Sequence, residues 1–119
     1  MSITQATEIL QTLTDQQKAR LRKIIRLNFY MISSQGEKQL KHKYGLTRRD
    51  VISMMIMQDG RCALCTKEIE SKWDIDHNHK TGKVRGLLHA GCNRGLGQLG
   101  DCIEELQKAI DYLRRNGET

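Results

Sequence analysis

Two short motifs in the chain carry residue types that bind transition metals. Each motif places two residues between its ligands: Cys62 and Cys65 form the first pair, and His89 and Cys92 form the second. Two thiolates from one tight turn and two ligands from another can close a tetrahedron around Zn²⁺. The spacing therefore predicts a structural zinc site that is closed by four protein ligands and takes no part in the chemistry.

Two alternatives stay open for these residues. Cys102 competes with His89 for the fourth ligand position, although it lies on the apolar face of the last predicted helix and fits the role of a small buried side chain. The cysteines could also be reduced core thiols beside an ordinary surface histidine. Reduced thiols are expected either way, because the N-terminal sequence does not resemble an export signal.

A second group of polar residues lies between and just after the two metal motifs. Asp76 and His77 end a segment that alternates like a strand, and Asn93 follows the last metal ligand directly. An Asp-His pair alone is weak, because charged residues between strands usually contact only water. Because one metal ion would join the two motifs, Asp76, His77 and Asn93 are expected to meet at one end of a hairpin-and-helix unit.

The chain is basic, with 20 Lys and Arg against 14 Asp and Glu and a net charge of +6. That balance favours a polyanionic partner. Lys80 and Lys83 lie in the loop between the predicted strands, where they would attract phosphates. Arg85 either reaches a phosphate or faces water. Three further cations repeat every fourth residue and form either a phosphate-binding stripe or a solvated helix face: Lys18, Arg22 and Arg26.

Caps and glycines predict the elements that position these groups, since the chain contains no proline. Residues 1–38 are expected to be a helical arm, and residues 39–119 the unit that carries the site. In the arm, Ser2 caps a first helix and Thr14 caps a second from Asp15 to Ile32, which ends at Ser33 to Gly36. A short basic segment covers residues 38–43.

Beyond the arm, Thr47 caps a helix that leads to the first metal motif. Strands are expected over residues 73–77 and 84–88, and a short helix over residues 89–94 is closed by the glycines at 95, 97 and 100. Asp101 is expected to cap a last helix. The apolar face of this helix consists of Ile103, Leu106, Ala109, Ile110 and Leu113.

The size and composition predict one small domain with an added arm. Its 119 residues include one Phe and one Trp, so the core is small and a metal becomes an expected source of stability. No apolar run approaches the length of a membrane span. A cytoplasmic protein is therefore expected.

Several motifs in order resemble the recombination endonuclease VII family of HNH, or ββα-metal, nucleases. They are LKHKYGLT, GRCALC, DIDHNHKTGKVRGLL, HAGCN and AIDYL, and they span roughly residues 40–115. The resemblance implies an α+β fold with a zinc-stabilised ββα-metal unit, an N-terminal helical arm and a C-terminal helix. It also implies a bacterial or phage origin.

The resemblance further implies roles for individual residues. Asp76 and Asn93 would hold Mg²⁺ or Mn²⁺, His77 would be the general base, and the Cys₃His set would bind zinc. His79 would contact the scissile phosphate or brace its loop, or be a solvated loop residue. Two departures stand out: His89 replaces a cysteine of the best-known members, and Leu96 stands where some members have an acidic residue.

These implications predict a metal-dependent endonuclease that nicks DNA and leaves 5′-phosphate and 3′-hydroxyl ends. Ordinary duplex and branched DNA, such as a four-way junction, are nearly equal candidates for the substrate. Junction cutting requires two opposed nicks and hence a homodimer. The alternative is a non-catalytic zinc module that binds nucleic acid, which would not require Asp76, His77 and Asn93 together.

Overall fold

Seven helices and one antiparallel hairpin make up residues 3–118, the part of the chain that the computed structural model describes. The helices before the hairpin are α1 (Ile3–Thr12), α2 (Asp15–Ile25), α3 (Phe29–Ile32), α4 (Ser34–Tyr44) and α5 (Arg48–Met57). Strands β1 (Trp73–His77) and β2 (Val84–His89) precede α6 (Ala90–Gln98) and α7 (Ile103–Arg115). The predicted α+β class is therefore confirmed. The cap predicted at Ser2 lies outside the described residues.

Two of the predicted caps form complete capping boxes. The Thr14 hydroxyl accepts from the Gln17 backbone N–H while the Gln17 side chain accepts from the Thr14 N–H, at 3.1 and 2.8 Å. Thr47 and Asp50 do the same at the start of α5. Each box satisfies backbone N–H groups that a helix start leaves without partners.

The prediction of a single helix from Asp15 to Ile32 is wrong, because the helix is interrupted before Asn28, the N-cap residue of α3. The Asn28 backbone is extended, and its side-chain oxygen accepts from the Tyr30 N–H at 2.8 Å to cap α3. Its amide nitrogen donates to the Trp73 carbonyl at 2.8 Å. Asparagine competes with helical hydrogen bonds in this way, and here the competitor also anchors β1.

Helix α3 ends at Ile32, close to the predicted end of the arm, but Ser33 to Gly36 begin a further helix at once. The Ser33 hydroxyl accepts from the Gly36 N–H and caps α4, which absorbs the expected basic segment. Gly36 fits because a Cβ there would lie 2.7 Å from the Cα of Tyr30. The proposed boundary after residue 38 consequently falls inside α4.

One buried core joins the N-terminal helices to the hairpin. Trp73 is fully buried with Leu40, Met55 and Leu87, and its indole N–H donates to the Ile24 carbonyl at 2.7 Å. Burying the largest apolar side chain beside a satisfied polar tip suits a chain with so few aromatics. The arm and the hairpin thus stabilise each other.

The hairpin registers Trp73 opposite His89 and Asp76 opposite Gly86, with an irregularity between Asp76 and His77. Such a bulge redirects the side chains on either side of it. Gly86 permits a close approach of the first metal motif, since a Cβ there would lie 2.9 Å from the Cβ of Ala63. The Ala63 N–H donates to the Leu87 carbonyl at 3.0 Å and ties the two segments together.

Three predictions at the C-terminal end need correction. Helix α6 continues through Gly95 and Gly97, so these glycines do not close it. The N-cap of α7 is Cys102, which makes no side-chain cap bond, and Asp101 does not cap the helix. Cys102 is exposed rather than buried.

The apolar face of α7 is largely uncovered. Ile103 is 85% exposed and Leu113 is 48% exposed, and no residue of this helix is buried. Within residues 3–118, no helix is long and apolar enough to cross a membrane.

Candidate functional site

The four predicted zinc ligands converge on one point. One ligand atom from each of Cys62, Cys65, His89 and Cys92 lies within 4.8 Å of the other three. The first two come from a tight turn, in which the Thr66 N–H donates to the Cys62 carbonyl at 2.9 Å. The other two come from the junction of β2 and α6. This Cys₃His group could hold a structural zinc ion.

The two ring nitrogens of His89 have different partners. Its Nδ1 faces the thiols, 3.2 Å from the Sγ of Cys65 and 3.8 Å from the Sγ of Cys92. Its Nε2 lies 3.1 Å from the carbonyl oxygen of Glu68, to which it can donate. A second partner of this kind fixes the ring so that Nδ1 presents its lone pair to a metal. The histidine can therefore serve as the fourth ligand beside three cysteines.

The surroundings of Cys62 favour its thiolate. Burial raises the pKa of this thiol, but backbone N–H groups of Cys65, His89 and Leu64 outweigh burial and lower the pKa to about 6. Burial raises the pKa of Cys92 to about 11, with the neighbouring thiols Cys65 and Cys62 adding to the effect. A bound Zn²⁺ would favour the thiolate form of these cysteines, because its positive charge offsets the repulsion between the neighbouring sulfur atoms. Cys102 is not part of the group.

Asp76 lies at the end of β1 and is only 5% exposed. Both of its carboxylate oxygens accept hydrogen bonds from Arg85, at 2.8 and 2.9 Å. Arg85 also donates to Asp101 at 2.5 Å. The hydrogen bonds that the Arg85 guanidinium donates to Asp76 and Asp101 raise its pKa well above its ordinary value. Arg85 is therefore partly exposed but not free, because it bridges two acids.

His77 is half-buried between two rings. The ring of Tyr44 meets it edge-on at 5.4 Å between centroids, and the ring of His79 lies at 4.5 Å. Burial and the neighbouring Tyr30 raise the pKa of Tyr44 to about 12, so Tyr44 is neutral. His79 is mostly exposed, with its Nε2 4.0 Å from Asp101. These contacts limit the orientations of the His77 ring.

Asn93 lies on α6, which packs against the hairpin, but its amide nitrogen donates to Asp74 at 3.2 Å. Among the hydrogen bonds of the described residues, none joins Asn93 to Asp76. Leu96, one turn further along α6, lines a cavity of about 260 Å³ together with Asp76 and Arg85. The apolar Leu96 leaves the surroundings of Asp76 with fewer oxygen donors than an acid there would supply.

The donor types at this end of the hairpin fit a hard divalent cation. Asp76 offers a buried carboxylate and Asn93 an amide oxygen, which are ligands that Mg²⁺ and Mn²⁺ accept. Arg85 would compete with such a cation, because its guanidinium donates hydrogen bonds to both carboxylate oxygens of Asp76. A cation at Asp76 therefore requires Arg85 to move.

The loop between the strands is built around Asn78. Its side-chain oxygen accepts from the backbone N–H groups of Lys80 and Thr81 at 2.8 and 3.1 Å, which is typical of asparagine in a turn. Lys80 and Lys83 are exposed at this loop. In the arm, Lys18 and Arg22 lie on α2 and Arg26 follows its last residue.

Three contributors to the site were missed in the sequence. Asp101 contacts Arg85 and His79 from outside the motifs, and Tyr44, which lies within the LKHKYGLT motif, contacts the ring of His77. Gln58 accepts from the Leu87 N–H at 3.0 Å and donates to the Leu87 carbonyl at 2.9 Å, which fixes α5 to β2. Only Asp101, beside a glycine in a turn, carries a recognisable local pattern, and that pattern indicates a helix cap instead.

The fold and the clustered ligands define a small α+β protein with a Cys₃His metal group beside a hairpin that ends in acidic and histidine side chains. Comparison with family models identifies the family. Residues 37–115 match the model of recombination endonuclease VII, and the chain belongs to that family.

Two curated relatives come from mycobacterial phages. The Gene 59 protein of Mycobacterium phage D29 is 43% identical over 86 residues, which is 70% of this chain and 52% of the relative. That of Mycobacterium phage L5 is 40% identical over 84 residues, which is 68% of this chain and 51% of the relative. The chain thus spans about half the length of these relatives. No solved structure matches.

Proposed function

We propose that the protein is a metal-dependent endonuclease that hydrolyses phosphodiester bonds of DNA by an HNH mechanism. The observation that carries the proposal is the buried Asp76 beside the oriented His77, both within the span that matches the endonuclease family. Asp76 and Asn93 would hold the catalytic ion. The Cys₃His group binds zinc and has a structural role.

His77 is the general base in this proposal. A neutral imidazole near pH 7 can take a proton from the water that attacks phosphorus. Packing against Tyr44 and His79 restricts the ring to few orientations, which favours proton transfer in a fixed direction. His79, exposed beside it, contacts the scissile phosphate or braces the loop. The products carry 5′-phosphate and 3′-hydroxyl ends.

A divalent cation at Asp76 and Asn93 would stabilise negative charge on the phosphate and on the departing 3′ oxygen. Asp76 supplies the charged oxygen and is held rigid by β1. Asn93 reaches the site from α6, and its amide oxygen, which takes no part in the bond to Asp74, would be the second ligand of the ion. Leu96 excludes water from one side of this pocket.

DNA is the proposed partner, and positive charge near the hairpin supports it. Lys80 and Lys83 extend from the loop and attract phosphates, while Arg85 lies between the loop and Asp76. The arm residues Lys18, Arg22 and Arg26 form a second, separate contact surface outside the family-matched span. Branched and ordinary duplex DNA are both retained as substrates, and branched DNA requires a homodimer.

One cleavage experiment tests this proposal. Supercoiled plasmid, linear duplex and a synthetic four-way junction are each incubated with Mg²⁺, Mn²⁺ or EDTA. Nicking that requires added cation supports the enzyme, and paired cuts in the junction alone support a resolvase. Absence of cleavage in every arm, with DNA binding retained, favours the other candidate.

The other candidate is a zinc module that binds nucleic acid without cutting it. The Asp76–Arg85 pair favours this alternative, because a carboxylate engaged by a guanidinium at both oxygens has its charge neutralised. A binding module has no need of an oriented His77, whereas the nuclease depends on it. Cleavage by the parent protein therefore separates the two.

A further inference from the structure

Arg85 is shared between two carboxylates. It makes two hydrogen bonds to the buried Asp76 and a 2.5 Å bond to Asp101, a residue in the turn between α6 and α7. Asp101 keeps 17% of its side chain exposed, against 7% for Asp76. One guanidinium therefore faces a buried acid on one side and a more accessible acid on the other.

The backbone around Asp101 is unfavourable for an ordinary residue. Its φ is 53°, in the left-handed region, and it follows Gly100 at φ 98°. A non-glycine residue is disfavoured there, and such strain often accompanies a functional site. Asp101 also leaves the start of α7 without a side-chain cap. Its carboxylate is thus directed to Arg85 at the expense of its usual role in capping.

A groove of about 530 Å³ opens beside this contact. Its lining combines the loop between the strands with the start of α7: Asn78, His79, Lys80, Arg85, Gly100, Asp101, Cys102 and Ile103. The basic side chains along it suit a phosphate, while Asp101 is the acidic residue of this lining and contacts Arg85. The groove places a phosphate within reach of an Arg85 that has left Asp76.

We infer that Asp101 is a positioning residue that keeps Arg85 available to leave Asp76 and bind a DNA phosphate when a divalent cation occupies Asp76. This inference rests on the proposed function. A cation at Asp76 repels the guanidinium, which remains charged and needs another anionic partner. Asp101 supplies that partner, so Arg85 turns toward the groove and stays in the site.

The energetic argument concerns the resting competition for Asp76. With Asp101 present, the guanidinium divides its hydrogen bonds between two acids. Without Asp101, Arg85 would pair with Asp76 alone, and a cation would have to displace a stronger ion pair. Loss of Asp101 therefore weakens cation binding through Arg85, and this effect disappears when Arg85 is also replaced.

The test measures Mn²⁺ binding to the zinc-loaded protein by calorimetry, without DNA. The variants are Asp101→Asn, Arg85→Gln and the double variant. Asp101→Asn should weaken Mn²⁺ binding by roughly threefold or more, whereas Arg85→Gln should strengthen it and the double variant should match Arg85→Gln. Asparagine has nearly the same shape and tolerates the left-handed backbone, so the fold is kept.

Glu104→Gln provides the matched control, because Glu104 is exposed on the first turn of α7 and does not contact Arg85. It removes one negative charge from the same helix end. If Glu104→Gln weakens Mn²⁺ binding as much as Asp101→Asn, the effect is one of general charge and the inference is overturned. The inference is also overturned if Asp101→Asn weakens Mn²⁺ binding equally in the parent protein and in the Arg85→Gln variant.

A second readout separates this inference from the proposed function. In cleavage assays, Asp101→Asn should raise the Mn²⁺ concentration for half-maximal rate. If the parent cleaves DNA and Asp101→Asn leaves both Mn²⁺ affinity and metal requirement unchanged, only the role of Asp101 is wrong. If the parent neither binds Mn²⁺ nor cleaves, the proposed function fails and this inference falls with it.

Discussion

The Cys₃His group and the loop end of the hairpin, where Asp76, His77 and Arg85 lie, belong to the same small unit but are built differently. The cluster is closed: four ligand atoms lie within 4.8 Å of one another. The loop end is held by competing ion pairs, in which Arg85 engages Asp76 and Asp101 together. A structural site gains from partners that never exchange, whereas a catalytic site needs partners that can be replaced by ion and substrate.

The largest expected effect concerns the closed site. Cys92→Ser should reduce zinc from about one ion per chain toward none and unfold the unit, since a structural zinc contributes on the order of 10 kcal/mol, comparable to the stability of a whole domain. Metal analysis and thermal unfolding followed by circular dichroism measure both outcomes. Cys102→Ser is the matched control, because Cys102 is exposed and lies outside the ligand group.

That comparison can also be broken. Equal zinc content and stability in Cys92→Ser and the parent would mean that the Cys₃His group does not bind zinc. Its members would then be reduced thiols beside a histidine. A similar loss in Cys102→Ser would instead bring Cys102 into the coordination sphere, in conflict with its exposed position.

The same contrast explains what could be predicted from sequence. The convergence of the four candidate zinc ligands could be predicted, because each pair lies on one local turn and its spacing alone brings the two residues together. The capping boxes at Thr14 and Thr47 are local in the same sense. The break at Asn28 could not be found, because its cause includes a bond to Trp73, far along the chain.

At the loop end of the hairpin, the candidate residues could be identified from the sequence, but their partners could not. Asp101 has the sequence pattern of a helix cap, and only the left-handed turn sends its carboxylate to Arg85 instead. Cys102 continues the apolar face of α7 in the sequence pattern, yet this face is largely exposed in the described residues. A tertiary contact decided the position of the Asp101 side chain, and the lack of one among the described residues left Cys102 exposed.

At the loop end of the hairpin, His77→Ala should lower the cleavage rate by roughly 10² to 10⁴, the range of lost general-base catalysis. Zinc content and DNA affinity should stay at parental values, because His77 lies outside the Cys₃His group. Single-turnover cleavage and binding by fluorescence anisotropy measure the two quantities. His42→Ala, exposed on α4, is the control. Parental cleavage by His77→Ala would end the catalytic assignment.

Replacing the two candidate ion ligands ranks them. Asp76→Ala should be at least as damaging as His77→Ala, because the proposed ion loses its charged ligand. Asn93→Ala should be rescued better by excess Mn²⁺, since a neutral amide contributes less to binding a hard cation. Cleavage rates over a Mn²⁺ titration check the order. Equal rescue of both variants would mean that Asp76 and Asn93 do not differ in their contact with the ion.

The smallest expected effects concern the two basic surfaces, which can be compared through salt. Lys80→Gln with Lys83→Gln should reduce the slope of log affinity against log salt by up to about 2, since each lost phosphate contact changes it by roughly 0.9. The arm variant Lys18→Gln, Arg22→Gln, Arg26→Gln should reduce it by up to about 3 if all three residues contact phosphates. Duplex binding from low to moderate salt, measured without divalent cations, gives both slopes. An arm variant with the parental slope would mean that this stripe faces solvent and that DNA contacts the hairpin unit alone.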